Sequence, residues 1–520
     1  MDYLKIGKID ELSGWDRKLY RYLEILPGFL SWGTLLGLVI LSYFEPVFVA
    51  FFIIAFDVYW LLLVLYLGIH LLVSYRRMKT GLKTDWRGLC EKLPVRTIEI
   101  KGGAKKDFRW TDIVHLMIFP FSYESYEVIE ESLKAVARSG YPLDKMILVL
   151  GVEERAGAAA LERARRAEKE YGSLFRKFLI TVHPDGIVGE IKGKGPNQAW
   201  AAREAKKLII DPENIDYDRI LVSVFDIDTV IYPDYFFCLA YKFLTADEPH
   251  RSSYQPIPVY HNNIWQAPFF ARVAASSNTF WQMMQQIRQE KLATYSSHSM
   301  SWRTLNDIGF WSTSMVSEDS RIFWHSFCFY KGDYRVVPMY YPVSMDVCMD
   351  ETMLQSARNL YKQQRRWGWG VENLPYLLFN TIKNRKELPL GKFFNRIFVQ
   401  IYGFHSWATN ALIIAVIGWL PMLLGGDRFN ATVLSTNLPV VARTLMMIAM
   451  SGLILSAIIS TLLLPPKPKA YGVARNVVML LQWLVLPVSI IVFGAIPGLD
   501  AQTRLMFGKY LGFWVTPKRR

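Results

Sequence analysis

Apolar residues are unevenly spread along the chain. Two nearly continuous runs, Leu26 to Phe44 and Val47 to Val73, open it and are separated only by Glu45 and Pro46. Each is close to the ~20 residues needed to cross hydrocarbon, so the pattern predicts a transmembrane helical hairpin over residues 26–75. Further apolar runs cover Trp407 to Leu424, Thr444 to Leu464 and Val477 to Ile496. Between the two sets the apolar pattern changes period. Short β-like runs at Ile113 to Phe119, Met146 to Leu150, Phe178 to Val182 and Ile220 to Phe225 alternate with helical patterns at Tyr126 to Ala137, Ala158 to Tyr171 and Ala199 to Leu208. That alternation predicts an α/β domain with a sheet whose ligands sit beyond the carboxyl ends of its strands.

The expected layout is a polar segment 1–25, the hairpin 26–75, a linker 76–110, and an α/β domain 111–385. An interfacial helix with C-terminal spans follows over 386–500, and a basic tail over 501–520 ends the chain. A cleavable signal peptide is not expected, because about 25 mostly polar residues come first and a second span follows directly. Basic residues crowd both flanks of the hairpin (Lys5, Lys8, Arg17, Lys18, Arg21; Arg76, Arg77, Lys79, Lys83, Arg87) and precede the later spans (Lys383, Arg385, Lys386, Lys392, Arg396). By the preference of cations for the cytosolic side, the α/β domain is expected in the cytosol of a cell with a plasma or inner membrane. Three full C-terminal spans would put Lys518, Arg519 and Arg520 outside, against that preference, unless Pro487 and Pro497 mark a broken or re-entrant last segment. Asp57 lies inside the second span, where an ionisable group is expected to have a polar partner or to line a passage.

Composition agrees with a membrane protein: 52% of the 520 residues are hydrophobic and 14% aromatic. The net charge of +14 is then explained by an anionic membrane surface, and nucleic acid is not expected as a partner. Four dispersed cysteines form no zinc or disulfide framework, which fits a reduced compartment.

Three groups of residues carry candidate chemistry. Asp226-Ile227-Asp228 follows the strand Ile220 to Phe225. Two carboxylates one residue apart at a turn can face one Mg²⁺ or Mn²⁺ whose other ligands are phosphates and water, although a polar strand-to-turn junction has the same spelling. Glu318-Asp319 offers a general base, or simply the first turn of a helix capped by Ser317. Gln363-Gln364-Arg365-Arg366-Trp367 puts Gln363, Arg366 and Trp367 on about one helical face, as a diphosphate clamp beside a sugar-stacking indole or as a helix lying on lipid.

In this order and between apolar spans, D-x-D, E-D and Q-x-x-R-W resemble the family 2 glycosyltransferases, in particular the membrane-integrated cellulose, chitin and hyaluronan synthases. The resemblance covers about residues 110 to 370 and implies a GT-A-like, Rossmann-like domain. It also implies inverting transfer from a UDP- or GDP-sugar to a glycan or a lipid-linked acceptor at the bilayer. Asp226 then resembles the carboxylate near the nucleotide, Asp228 the metal ligand and Asp319 the base. Glu318, Gln363, Arg366 and Trp367 resemble the acceptor and diphosphate side. Tyr123-Glu124, Glu153 and Lys194 match the family's nucleotide-contacting positions more loosely, and His183 reads as a loop residue. No counterpart of the F-x-V-T-x-K gating loop of cellulose synthase is expected after Trp367, which disfavours cellulose as the product. A transporter or receptor with a degenerate, non-catalytic domain is the alternative from another class.

Overall fold

A computed structural model describes residues 3–472 and 474–517. The two opening runs form long helices, α1 (Gly14–Phe44) and α2 (Pro46–Gly81), with Pro46 starting α2 where its missing N–H costs nothing. Residues 76–110 are not a bare linker. After α2 come a short helix α3 (Trp86–Lys92) and an antiparallel hairpin, β1 (Arg96–Glu99) and β2 (Lys105–Phe108). Cys90, Ile98 and Phe108 of this stretch are buried in the largest apolar core of the α/β domain, which fixes the segment in place.

That core surrounds a mixed eight-stranded sheet. In chain order its elements are β3 (Val114–Phe121), α4 (Tyr126–Ala137), β4 (Met146–Glu153), α5 (Ala158–Tyr171), β5 (Lys177–His183), α6 (Lys194–Ala205), β6 (Ile220–Val224) and β7 (Val230–Ile231). Then follow α7 (Tyr235–Thr245), β8 (Ser252–Val259), α8 (Phe269–Ile287), β9 (Ser299–Ser301), α9 (Trp302–Ile308), α10 (Glu318–Phe329) and β10 (Arg335–Ser344). The sheet order is β5-β4-β3-β6-β9-β8-β10-β7. Strands β5, β4, β3 and β6 run parallel, and β9 turns the sheet antiparallel against β6 and β8. Every residue of β3, β4 and β6 is buried, as expected for parallel strands covered on both faces. The order reverses between β3 and β6, and the carboxyl ends there form the crevice in which such sheets bind ligands. The fold is thus the expected α/β, GT-A-like arrangement joined to apolar helices.

After the sheet, α11 (Met353–Gly368), α12 (Asn373–Lys383) and α13 (Leu390–Ala415) lead to the C-terminal apolar helices. Four helices are long and apolar enough to cross a membrane: Gly14–Phe44, Pro46–Gly81, Val433–Leu463 and Ala474–Met506. A fifth candidate is the pair Leu390–Ala415 and Ile417–Leu424, bent by 40°. The last helix is held to the α/β domain at four points along its length. Arg475 donates to the Trp265 carbonyl, Gln482 accepts from Arg272 at 2.6 Å, Phe493 stacks on Phe270, and Asp500 pairs with Arg365 at 3.0 Å.

Two expectations for the membrane part need correction or limits. Asp57 is buried, yet among the described residues no hydrogen bond or ion pair reaches it, so the expected polar partner is missing. The basic tail residues Lys518, Arg519 and Arg520 lie outside the described residues.

Candidate functional site

Strand β6 continues through Phe225, whose N–H donates to Ile118 O at 3.0 Å, and so delivers Asp226 to the carboxyl edge of the sheet. Lys194 opens α6 at the same edge. Its ammonium lies 2.7 Å from Asp226 Oδ1, and 2.8 and 3.0 Å from the two carboxylate oxygens of Asp319. One cation therefore ties the D-x-D turn to the E-D pair, 125 residues apart in sequence from Lys194 to Asp319. Burial alone would lower the Lys194 pKa, but Asp226, Asp319 and Glu318 outweigh it and hold the ammonium charged. Asp226 Oδ2 also accepts from Ser296 Oγ at 2.7 Å, and the Asp319 carbonyl from Thr294 Oγ1 at 2.7 Å.

Glu318 and Asp319 form the first turn of α10, with Ser317 at the cap position but making no side-chain cap bond. The Ser317 hydroxyl and N–H instead donate to Glu372 at 2.6 and 3.0 Å, and Glu372 also accepts from Trp369 Nε1 at 2.8 Å. Asn373 Nδ2 reaches Ser320 at 2.9 Å, and the buried Arg321 donates to Asn373 Oδ1 and to the Ile6 carbonyl, both at 2.7 Å. The E-D helix is thereby clamped to the turn that follows Q-x-x-R-W and to the N-terminal arm. Glu318 is 2% exposed, and burial with the adjacent Asp319 pushes its carboxyl well above the usual range, despite Lys194. Gly195 permits this closeness, since a Cβ there would meet Ser312 O at 3.0 Å and Glu318 Cγ at 3.1 Å. His298 is held neutral by burial, and its Nδ1 faces both the Tyr295 carbonyl at 2.9 Å and Asp319 at 4.0 Å.

Asp228 is placed differently from its partner in the motif. It is fully buried, and its Oδ2 accepts from the Asp346 N–H at 2.9 Å, while Asn262 Nδ2 bridges Asp228 O and Asp346 Oδ1, each at 2.8 Å. It does not join the Lys194 cluster. Among the described residues no group of three or more His, Cys, Asp or Glu side chains could hold a metal by itself. Two carboxylates of one turn still suit Mg²⁺ or Mn²⁺, which take few protein ligands and complete their shell with phosphate oxygens and water.

Gln363 is buried on α11, and the Arg366 charge acts against the raised pKa of Glu318, after burial, Asp319 and Lys194. The Arg366 guanidinium sits 5.1 Å over the Phe513 ring, and Trp367 packs into an aromatic cluster with Tyr260, Trp265 and Tyr471. Phe513 also presses on Gly193, the residue before Lys194, where a Cβ would come within 2.5 Å of the ring. The gating expectation is corrected here: residues 513–518 spell F-W-V-T-P-K, and the described part lies between the lysine turn and Arg366. The signal was in the sequence, at its very end.

The remaining candidates form a second, more open group. Glu153 ends β4, is 5% exposed and pairs with Arg155. Together with His183, Asp185, Glu190 and Lys192 they line a cleft that reaches Gly193. His183 ends β5 instead of lying in a loop, and its Nε2 contacts Glu190 at 2.8 Å, which makes it part of the cleft wall. Tyr123 is 61% exposed, with its hydroxyl donating to Arg155 O at 3.3 Å, and Glu124 accepts from the Ser122 N–H at 2.8 Å. Asp346, Asn262, Glu372, Asn373 and Arg321 carry no motif spelling, and only the folded chain brings them to the acids.

Residues 221–466 match the family model described as glycosyl transferase family group 2. No curated protein matches the chain. Among solved structures, the chain is similar to the mannosyltransferase PcManGT from Pyrobaculum calidifontis in complex with GDP-Man and Mn²⁺. Identity is 14%, coverage is 78% of this chain and 98% of that one, and the TM-score is 0.40. It is also similar to S. aureus TarS 1-349 in complex with UDP, at 11% identity over 66% of this chain and 90% of that one, with a TM-score of 0.33. The family match spans β6 with its D-x-D turn, the E-D helix and the Q-x-x-R-W helix, and it supports a family 2 glycosyltransferase.

Proposed function

We propose that the chain is an inverting, membrane-held glycosyltransferase that moves a sugar from a nucleoside diphosphate sugar to a hydroxyl of a growing glycan, with export of the product across the same bilayer. The observation that carries this reading is the single Lys194 ammonium bound to both Asp226 and Asp319. It places the D-x-D acid and the candidate base within one cation's reach, the separation a donor sugar and an attacking hydroxyl would have to bridge.

In this reading the cleft of Glu153, Arg155 and His183 receives the nucleoside, and Asp226 and Asp228 would hold a divalent cation. Such a cation would neutralise charge building on the diphosphate as it leaves. Arg366 offers the diphosphate a guanidinium fork, and Trp367 gives the acceptor sugar an apolar face. Asp319 takes the proton of the acceptor hydroxyl while His298, held neutral, and Lys194 fix its orientation. Phe513 and its neighbours cover the lysine turn and Arg366 as a gate that donor binding displaces. The basic flanks put the domain in the cytosol, where nucleotide sugars are made. The FWVTPK spelling favours the polysaccharide synthase branch over single-sugar transfer.

The test is incubation of the purified full chain with a panel of UDP- and GDP-sugars and either cation, followed by detection of released nucleoside diphosphate and of product size. Release with a product of many sugars is expected. No release from any donor under any cation would sink the proposal, and one sugar per acceptor would replace synthesis by single transfer.

A further inference from the structure

Two further cations, one buried and one half-buried, lie outside the acidic cluster. Arg272, on α8, is 2% exposed, and its guanidinium donates to Gln482 Oε1 and to the Ala267 carbonyl, each at 2.6 Å. Arg475, at the start of the last apolar helix, donates to the Trp265 carbonyl and lies 5.2 Å over the Tyr471 ring. All of these partners are neutral. Among the described residues neither arginine is in an ion pair, and burial followed by the charge of Arg475 presses Arg272 down to about 10.

The sequence makes this deficit systematic. No Asp or Glu occurs between Glu248 and Glu290, or between Asp427 and Asp500, while Lys467 and Lys469 stand in the same loop as Arg475. A buried charge without a counter-ion is costly, so two guanidiniums held together here require an anion from outside the chain. The surroundings say which kind. One turn along α8 from Arg272, a cleft lined by Tyr260, His261, Ser276, Thr279, Phe280 and Leu463 runs between the catalytic domain and an apolar helix long enough to cross the membrane. Tyr260 and Trp265 share their aromatic cluster with Trp367 of Q-x-x-R-W.

We infer that Arg272 and Arg475 bind the phosphate of a membrane lipid that carries the acceptor, with the lipid's first carbons in the α8 cleft and its sugar directed toward Trp367. The inference rests on the glycosyltransferase reading for the acceptor's purpose, but the anion site stands on its own geometry. Guanidinium forks suit phosphate oxygens, and a phosphate at the membrane boundary is what a lipid headgroup supplies.

The experiment uses the full chain in phosphatidylcholine nanodiscs with a photoreactive polyprenyl phosphate, the matching polyprenol, and inorganic phosphate as competitor. The expected result is phosphate-dependent labelling of α8 or residues 474–481. Arg475→Gln, at a half-buried position, should reduce it at least about tenfold, as loss of a charged hydrogen bond does. Arg272→Lys should keep most of the labelling and Arg272→Gln should lose it. Equal labelling by the polyprenol, unchanged labelling in Arg475→Gln, or displacement of the lipid by millimolar inorganic phosphate would each overturn the inference. So would displacement by an acidic oligosaccharide. Donor binding is measured in the same samples: its absence in the unmodified chain sinks the glycosyltransferase reading, while the labelling result remains readable.

Discussion

The nucleotide-side cleft and the acidic centre lie at one edge of the same sheet but are built on opposite principles. Beside the cleft, Tyr123 is largely exposed, and in the loop after His183 Val188 is 98% exposed and Gly186 and Gly189 take positive φ, while Glu153 and His183 of the cleft wall are buried. In the centre, Asp228 and Glu318 are buried, and the acids are held by packed side chains and by backbone N–H groups such as that of Asp346. The contrast teaches where the chain has spent rigidity. A centre fixed by packing is what transition-state stabilisation would require, and an open rim is what a site that closes upon its ligand would require.

The largest effect should come from the centre. Asp319→Asn keeps shape and hydrogen bonding but removes the proton acceptor, so sugar transfer should slow at least about a hundredfold with nucleotide affinity near normal. Single-turnover transfer beside nucleoside diphosphate binding checks both halves. Unchanged turnover excludes Asp319 as base, and lost nucleotide binding makes it a donor-side residue. A smaller effect is expected at the metal turn: Asp228→Asn should weaken donor binding at least about tenfold, and chelation should reproduce it in the unmodified chain. Full activity in EDTA would remove the metal from the reading. The smallest effect belongs to the cleft. Glu153→Gln keeps the acceptor oxygen and frees Arg155, so donor KM should rise roughly five- to tenfold, about 1 kcal/mol, with kcat little changed. A collapse of kcat in that variant would erase the distinction between the two regions.

Much of this was legible before folding. Helices α4 and α5 fall where the 3.6-residue pattern put them, because both are amphipathic along their full length. Strands β3 and β4 were found as apolar runs but extend further, through Phe121 and Glu153, since the neighbouring parallel strands continue the ladder. The D-x-D, E-D and Q-x-x-R-W groups were visible as spellings. Their meeting through Lys194 was not, because it depends on how α6 and α10 approach across Gly195. Asp346 and Glu372 were invisible for the same reason, as isolated acids without a pattern. The stretch 76–110 looked like a linker because β1 and β2 bury little: only Ile98 and Phe108 of the hairpin face the core. Phe513 has no neighbouring motif in sequence to mark it, and only the fold brings it from residue 513 to Gly193 and Arg366.

The N-terminal arm bears on a different matter. Leu4 and Ile6 give their carbonyls to Tyr376 and Arg321 of the catalytic domain, and at the other terminus Phe513 rests on Gly193 and Arg366. Residues 4–6 and Phe513 therefore meet the same domain. For helices that cross a bilayer, this predicts an even number of crossings on either side of the domain, a condition met by α1 with α2 and by the bent 390–424 segment with Val433–Leu463, with Ala474–Met506 lying against the domain. A fluorescent reporter fused to either terminus should light the same compartment.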